Sequence, residues 1–415
     1  MIDQSIGPMN AQLTATGRAH LRRALELAEG GRGRVSPNPL VGAVIVRGGE
    51  LIGEGFHAVL GGLHAERAAL EDCRQRGEDP AEATLYVTLE PCAHQGRQPS
   101  CTEAILEAGI ARVVIASDDP SEKASGRGPG ILRDGGIEVE FAAGEEAAAA
   151  RLLNQPFRKH ARTGLPLVTL KLAMSLDGCT STAPGDSPWI SSEQSRALVH
   201  RWRAESDAIA IGIGTALADD PLLTARDSDT ARQPTRVVFD SQARLPLDSQ
   251  LLRTLDQSPV IVVTAPHADS TALRDAGAEI VVAEGISSAL ADLGRRNIAS
   301  LFLEGGPTLA AGFTEAGEID EARVFIAPVL LGGSEPQTVN ASRAGGGGVG
   351  GSPPHGGCGG QGLESPGAAS RRPEQRAVQG GPPTPPTGPV RQAPLSFGVE
   401  RIGDDTLITA RFKEW

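Results

Sequence analysis

Cysteine is scarce in this chain: five residues in 415, Cys73, Cys92, Cys101, Cys179 and Cys358. That is too few for a disulfide-stapled secreted fold. It fits a reducing cytoplasm, where paired thiols read first as metal ligands or catalytic groups. Long apolar runs are missing too, and none approaches the roughly 18 residues that a membrane-spanning helix needs. The opening MIDQSIGPMNAQLTATGRAH lacks a basic stretch followed by an apolar one, so no secretory leader is expected. Positive charge is in deficit: 39 Lys and Arg face 51 Asp and Glu, a net charge of −12. Nucleic acid and anionic membrane are therefore not the expected partners; a small molecule is.

What is present points to two folded units. A length of 415 residues exceeds what one core usually serves, and 40% hydrophobic content supports globular structure. TATGRAHLRRALELAE (14–29) spaces Leu21, Ala24, Leu25 and Ala28 as a helix does, and Gly30-Gly31 stop it. LVGAVIV (40–46), Gly48-Gly49 and ELIGEGF (50–56) read as a hairpin. A helix over 64–73, a strand over 84–89, a helix over 101–109 and strands over 112–117 and 137–141, with a helix near 129–135, complete a mixed sheet flanked by helices. Residues 144–163 read as one connecting helix. A second α/β series follows, with strands near 167–174, 207–211, 236–239, 260–264, 279–283, 300–304 and 322–328. Its helices fall near 193–204, 270–276, 287–296 and 307–316. The boundaries expected are 14–145, a linker helix over 146–163, and 164–412.

Residues 341–392 differ in kind. They are rich in Gly and Pro and nearly free of large apolar side chains, so they cannot offset their own chain entropy and are expected to be disordered. Two origins stay open: a tolerated insertion, or a stretch read in a shifted frame between two correct ones. LSFGVERIGDDTLITARF (395–412) then resumes as a hairpin.

The chemistry concentrates in HAE (64–66) and TLEPCAHQGRQPSC (88–101). His64 and Glu66 open a helix, Cys92 follows a strand, and Cys101 starts the next helix. One imidazole and two thiolates make a three-donor set, and a catalytic zinc keeps its fourth position open for water, whose pKa it lowers. Glu66, two positions from His64, is placed to move protons rather than bind metal. This H-x-E … P-C … C pattern is that of zinc nucleobase deaminases. Other readings of the same residues are a Cys92–Cys101 disulfide, two independent buried thiols, or His94 in place of His64. Cys73 is expected to pack in the core of its own helix.

NPLVGAVIV (38–46), GEGFH (53–57), HAERAAL (64–70) and TLEPCAHQGRQPSC together resemble the deaminase half of the bifunctional deaminase/reductase family of riboflavin biosynthesis. The eight residues between Cys92 and Cys101 match that family, where cytidine and transfer-RNA deaminases have two. The resemblance implies that His64, Cys92 and Cys101 hold Zn2+, that Glu66 shuttles protons, and that Asn38, His57, His94 and Arg97 line the pyrimidine and phosphate pocket. Two stretches depart from it. Gln98-Pro99-Ser100 stands where the family has Thr-Pro-Pro, and Ala124-Ser125-Gly126-Arg127-Gly128 where it has Val-Ala-Gly-x-Gly.

In the second unit, LFLEGGPTLAAGF (301–313) reads as strand, Glu304, a glycine turn and a helix N-terminus, which suits a dinucleotide phosphate. It is not the G-x-G-x-x-G fingerprint. With LKLAMSLDGCTSTAPGDSPWISSEQSR (170–196) and ESDAIAIGIGTALADDPLLTAR (205–226) it resembles the reductase half of the same family, whose fold is like dihydrofolate reductase and whose cofactor is NADPH. By that resemblance Ala173, Trp189, Thr215, Asp219, Ser241 and the turn Gly306, Pro307, Thr308, Leu309, Ala310, Ala311 and Gly312 contact NADPH. Ser187, Arg203, Leu223, Arg226 and Glu304 contact the sugar phosphate, and Lys171 and Glu304 assist the reduction. Asp177 reads either as part of the site or as the shaper of its own turn. A homo-oligomer, dimer or tetramer, is expected by resemblance. Two rival functions remain: another nucleotide or transfer-RNA deaminase fused to an unrelated reductase, or a protein whose second half only binds nucleotide.

Overall fold

The computed structural model describes residues 13–93, 99–122, 124, 126–180, 189–226, 232–332 and 392–415. The insertion expected at 341–392 lies, but for Gln392, outside them, as do His94, Arg97 and Ser187.

The first sheet is built from α1 (Ala15–Ala28), β1 (Gly42–Arg47), β2 (Glu50–Phe56), α2 (Ala65–Arg76), β3 (Thr84–Val87), α3 (Cys101–Glu107), β4 (Arg112–Ile115), α4 (Arg127–Asp134) and β5 (Glu138–Phe141). Its order is β2-β1-β3-β4-β5. The hairpin side is antiparallel and β3, β4 and β5 are parallel, so the sheet is mixed as expected. Strand alternation sends Ala43, Ile45, Leu85 and Val87 to one face, against Ala65, Ala69, Ile105 and Leu132. Val44, Val46, Tyr86 and Val114 go to the other, against Leu21 and Ala24 of α1. Cys73 is fully buried in the first of these cores, and burial pushes its thiol up to about 11.

Two glycines let α2 lie close on β2. A Cβ on Gly53 would stand 2.3 Å from Cys73 Sγ and 2.6 Å from the Ala69 carbonyl oxygen, and one on Gly55 would stand 2.5 Å from the Ala69 amide nitrogen. Any side chain at either position would lift the helix that carries His64 and Glu66 off the sheet.

The connecting segment is two helices, not one: α5 (Glu145–Leu153) and α6 (Gln155–Thr163), parted at Asn154 with φ −107° and ψ 21°. Pro156 explains the break, because it offers no N–H to the preceding turn and is accommodated only at the start of a new helix.

The second sheet follows with β6 (Leu167–Ser175), α7 (Glu193–Glu205), β7 (Ala208–Gly212), α8 (Ile213–Asp219), β8 (Thr235–Phe239), α9 (Gln250–Arg253), β9 (Val260–Thr264), α10 (Thr271–Asp275), β10 (Glu279–Val282), α11 (Ile286–Arg295), β11 (Ser300–Leu303), α12 (Pro307–Glu315), β12 (Glu321–Ala327), β13 (Ser396–Ile402) and β14 (Asp405–Arg411). The order is β10-β9-β8-β7-β11-β6-β12-β14-β13. The first seven run parallel; β14 joins β12 antiparallel, and β13 pairs with β14. The hairpin expected at 395–412 is therefore part of the sheet. Asp405 at its turn accepts from Ser192 N at 2.8 Å and from the Ser195 hydroxyl at 2.6 Å, securing the start of α7. Both sheets belong to one compact unit. No helix among the described residues is long and apolar enough to cross a membrane.

Candidate active sites

The first site forms where α2, the β3–α3 loop and α3 meet. His64 is the residue just before α2, and Cys101 is the first residue of α3, whose N-cap Ser100 accepts from Glu103 N. His64 Nδ1 lies 3.3 Å from Cys101 Sγ and 3.5 Å from Cys92 Sγ, and all three donor atoms lie within 4.8 Å of one another. Both cysteines are free thiols, so the disulfide reading fails. A tetrahedral zinc with ordinary Zn–N and Zn–S bonds places its nitrogen and sulfur donors about 3.5 Å apart. The donor types and separations both fit that ion.

Proton sharing among the three follows from their closeness. The hydrogen bond from Cys101, with help from His64, holds the Cys92 thiol well below its ordinary range, and that same bond and burial push Cys101 up. Glu66, in the first turn of α2, is 3% exposed. Burial pushes its carboxyl up to about 7, and the Cys92 thiolate adds to the effect.

Beside them, His57 Nδ1 stands 2.9 Å from the Leu63 carbonyl oxygen. A carbonyl only accepts, so Nδ1 carries the proton, and burial keeps the ring's pKa below its ordinary value. His57 Nε2 therefore accepts from Asn38 Nδ2 at 3.2 Å, and the His57 and His64 rings meet edge to face at 5.4 Å. Asn38, His57, His64 and Glu66 thus form one connected cluster with the two cysteines.

Sequence reasoning passed over Glu90. It is 4% exposed, its carboxyl is pushed up to about 7 by burial, and Asp119 N donates to Oε2 at 3.5 Å. Gly128 packs so close to this loop that a Cβ there would stand 2.1 Å from the Pro91 carbonyl oxygen. Glycine at 128, which the chain shares with the family pattern, has this packing as its reason. No periodicity would have singled out Glu90, which only the fold brings to residues 119–128.

The second site lies at the carboxyl ends of parallel strands, where open α/β sheets place their ligands. On β6, Leu170 and Leu172 face one core, so alternation turns Lys171 and Ala173 to the α7 side. Trp202 of α7 stacks on Phe325 at 5.6 Å and meets Phe302 edge-on at 6.0 Å. The next residue, Arg203, forms a two-pronged pair with Glu304: Nε to Oε1 at 2.6 Å and Nη2 to Oε2 at 3.0 Å. Its Nη1 donates to the Thr224 carbonyl at 3.3 Å. Burial opposes the charge of Glu304, but Arg203 and Lys171 outweigh it and leave the carboxyl below its usual value. Burial holds Lys171 below the lysine range against the pull of Glu304. Asp177 receives Leu331 N, Gly332 N and the Ser175 hydroxyl, so its role is in the turn.

Gly306 is the N-cap of α12, with Pro307 next and no side-chain cap. Thr215 Oγ1 lies 3.5 Å from where a Cβ on Gly306 would stand, so the starts of α8 and α12 adjoin at the ends of β7 and β11. An uncapped helix N-terminus behind a glycine turn fits a cofactor phosphate. Thr308 is exposed, Leu309 packs beside Gly212, and Ala310 and Ala311 are buried beneath, with Gly312 between them and Phe313. Asp219 and Ser241 are exposed, and Trp189 is 60% exposed with the Arg196 guanidinium 5.0 Å over its ring. Leu223 is buried, with φ +53°, beside the Thr224 that receives Arg203. Arg226 is exposed, and its amide donates to His200 Nδ1 at 3.3 Å; His200 was not foreseen.

Comparison with known proteins agrees with both halves. The cytidine and deoxycytidylate deaminase zinc-binding region matches residues 15–117, and the RibD C-terminal domain matches 166–343. The riboflavin biosynthesis protein RibD of Actinobacillus pleuropneumoniae is 40% identical over 339 residues, 80% of this chain and 89% of that one. The chain belongs to the RibD family. RibD of Escherichia coli is 42% identical over 330 residues, 75% of this chain and 88% of that one. Among solved structures, Acinetobacter baumannii RibD superposes with a TM-score of 0.76 at 35% identity, covering 96% of this chain and 99% of that one. A Thermotoga maritima diaminohydroxyphosphoribosylaminopyrimidine deaminase/5-amino-6-(5-phosphoribosylamino)uracil reductase gives 0.75 at 31% identity, with the same coverage. As in other RibD chains, a zinc-binding deaminase region precedes a reductase region, so the cytidine-deaminase-like mixed sheet and the α/β reductase sheet are as expected.

Proposed function

We propose that the chain catalyses two consecutive steps of riboflavin biosynthesis. The first is hydrolytic deamination of 2,5-diamino-6-(5-phosphoribosylamino)pyrimidin-4(3H)-one. The second is NADPH-dependent reduction of the ribosyl group, which yields 5-amino-6-(5-phosphoribitylamino)uracil. Residues 14–145 carry the first activity, 146–163 connect, and 164–412 carry the second. The observation that carries this reading is the meeting of His64 Nδ1, Cys92 Sγ and Cys101 Sγ at zinc-donor separations beside the buried Glu66.

Bound there, zinc supplies a Lewis acid that lowers the pKa of water. Glu66 takes the proton that the attacking water gives up at the ring carbon and returns one to the departing amino nitrogen, so water enters and ammonia leaves. A carboxyl whose pKa lies near neutrality serves both transfers. Asn38, held by His57, orients the pyrimidine edge.

NADPH supplies the hydride of the second step. The Gly306 turn and α12 N-terminus receive its phosphates, with Thr215 alongside. Lys171 and Glu304, locked to Arg203, position and polarise the sugar, and Arg226 stands at the rim toward its phosphate. The whole is read as a cytoplasmic homo-oligomer acting on small molecules. Turnover of the diaminopyrimidine phosphate, resolved by mass with and without NADPH, tests it. A one-unit mass gain without NADPH, and two more units with it, is the expected record. Deamination without any NADPH oxidation would leave the second half a nucleotide-binding domain only.

A further inference from the structure

The turn that carries Asn38 into the deaminase pocket is held from outside its own sheet. Asn38 N donates to the Val35 carbonyl at 2.9 Å, closing a turn over 35–38. Within it, the Ser36 hydroxyl donates to Asp207 Oδ2 at 2.8 Å. Asp207 immediately precedes β7 of the reductase sheet and is 4% exposed. Its carboxylate is itself fixed: Oδ2 receives Ala299 N at 2.8 Å and Ser300 N at 2.9 Å, and Oδ1 receives the Arg232 guanidinium. The other end of the turn is clasped by Asn154, between α5 and α6, which accepts from Leu40 N at 2.8 Å and donates to the Leu40 carbonyl at 2.9 Å. A cavity of about 70 Å³ adjoins the turn, bordered by Pro37, Phe157 and Ser300. On that side, close packing does not hold the turn.

We infer that Asp207 is a positioning residue for deamination: through Ser36 the reductase sheet sets the turn that aims Asn38 at the substrate. This rests on the reading that Asn38 contacts the pyrimidine. It makes the deaminase pocket complete only when the second sheet is folded beneath it, a dependence that neither half reveals alone. A hydrogen bond to a carboxylate contributes more than one between neutral groups, and losing it frees the turn rather than removing any group that touches substrate.

The test uses full-length, zinc-loaded Ser36→Ala, Ser36→Thr and Asn38→Ala. For Ser36→Ala the deaminase KM rises about tenfold with kcat changed less than threefold, roughly what one charged hydrogen bond yields. Zinc content and reductase kinetics on the deaminated intermediate stay at wild type, and Ser36→Thr, which keeps the hydroxyl, restores KM. A KM for Ser36→Ala within twofold of wild type, while Asn38→Ala raises it tenfold or more, overturns the Asp207 assignment and leaves the Asn38 reading standing. Parallel loss of both activities in Ser36→Ala also overturns it, since that marks general disruption. Unchanged deamination in Asn38→Ala removes the reading beneath it.

Discussion

Replacing Glu66 with Gln tests the first site most directly. The amide is isosteric with the carboxyl and fits the same buried place, so packing under α2 is preserved. It neither takes up nor releases a proton near neutral pH, and at 3% exposure Glu66 has little bulk water beside it to substitute. General acid–base catalysis by a positioned group contributes about 10²–10⁴-fold. On the proposed mechanism one carboxyl serves two transfers, so the upper part of that range applies, about 10³–10⁴-fold in deaminase kcat, or roughly 4–5.5 kcal/mol of barrier. The proposed zinc donors are His64, Cys92 and Cys101, and Glu66 is not among them, so zinc content per chain should stay at wild type. The assay is ammonia release beside metal analysis of the same sample, with NADPH oxidation on the deaminated intermediate as the internal control. Deamination within tenfold of wild type would place the proton transfers elsewhere. Lost zinc would make Glu66 a ligand, and the division of labour between 64 and 66 would be wrong.

Chelation followed by dialysis should abolish deamination and spare NADPH oxidation, with added zinc restoring the first, since all three donors lie beside the first sheet. Arg203→Lys exchanges a two-pronged guanidinium for a point charge against the largely buried Glu304 and should lower reductase kcat/KM about 10–100-fold with deamination unchanged. Replacing residues 343–391 with a short Gly/Ser linker should leave both activities within about twofold, as expected of a low-hydrophobicity segment. Ending the chain at 391 should instead destroy reduction, because β14 leaves β12 and Ser192 and Ser195 lose Asp405; steady-state assays of both proteins decide the pair.

The meeting of His64, Cys92 and Cys101 was legible because its chemistry is local in type and punctuated in sequence. His64 and Glu66 sit two apart at a helix start, and each cysteine adjoins a recognisable boundary. Most strands of both sheets were legible for a similar reason: VVF, VIVV and LFL are short apolar runs between glycine and proline turns. The break at Asn154 was missed because an alanine-rich stretch and an amphipathic one follow each other without a gap, and only Pro156 marks the restart. The short α8 and α9 carry too few residues for a period to show. Ser36, Asp207, His200 and Glu90 were invisible for a different cause. Each acts through a partner 26 to 171 positions away, and single-chain spacing does not encode such pairs.

The Arg203–Glu304 pair also changes what the reductase crevice can do. By the family resemblance both residues contact the sugar phosphate, and Glu304 also assists the reduction. In the structure Arg203 commits its Nε–Nη2 edge to the carboxylate, and its Nη1 donates to the Thr224 carbonyl. Its work is to fix Glu304, whose backbone is already tied to the Ala210 carbonyl at 2.9 Å. Glu304 in turn draws Lys171 toward its charged form against burial. Arg203 and Lys171 thus gather around one carboxylate in a chain of net charge −12. On the proposed reading, that cluster of basic side chains gives an anionic sugar phosphate a reason to enter, with Arg203 and the exposed Arg226 as its candidate contacts.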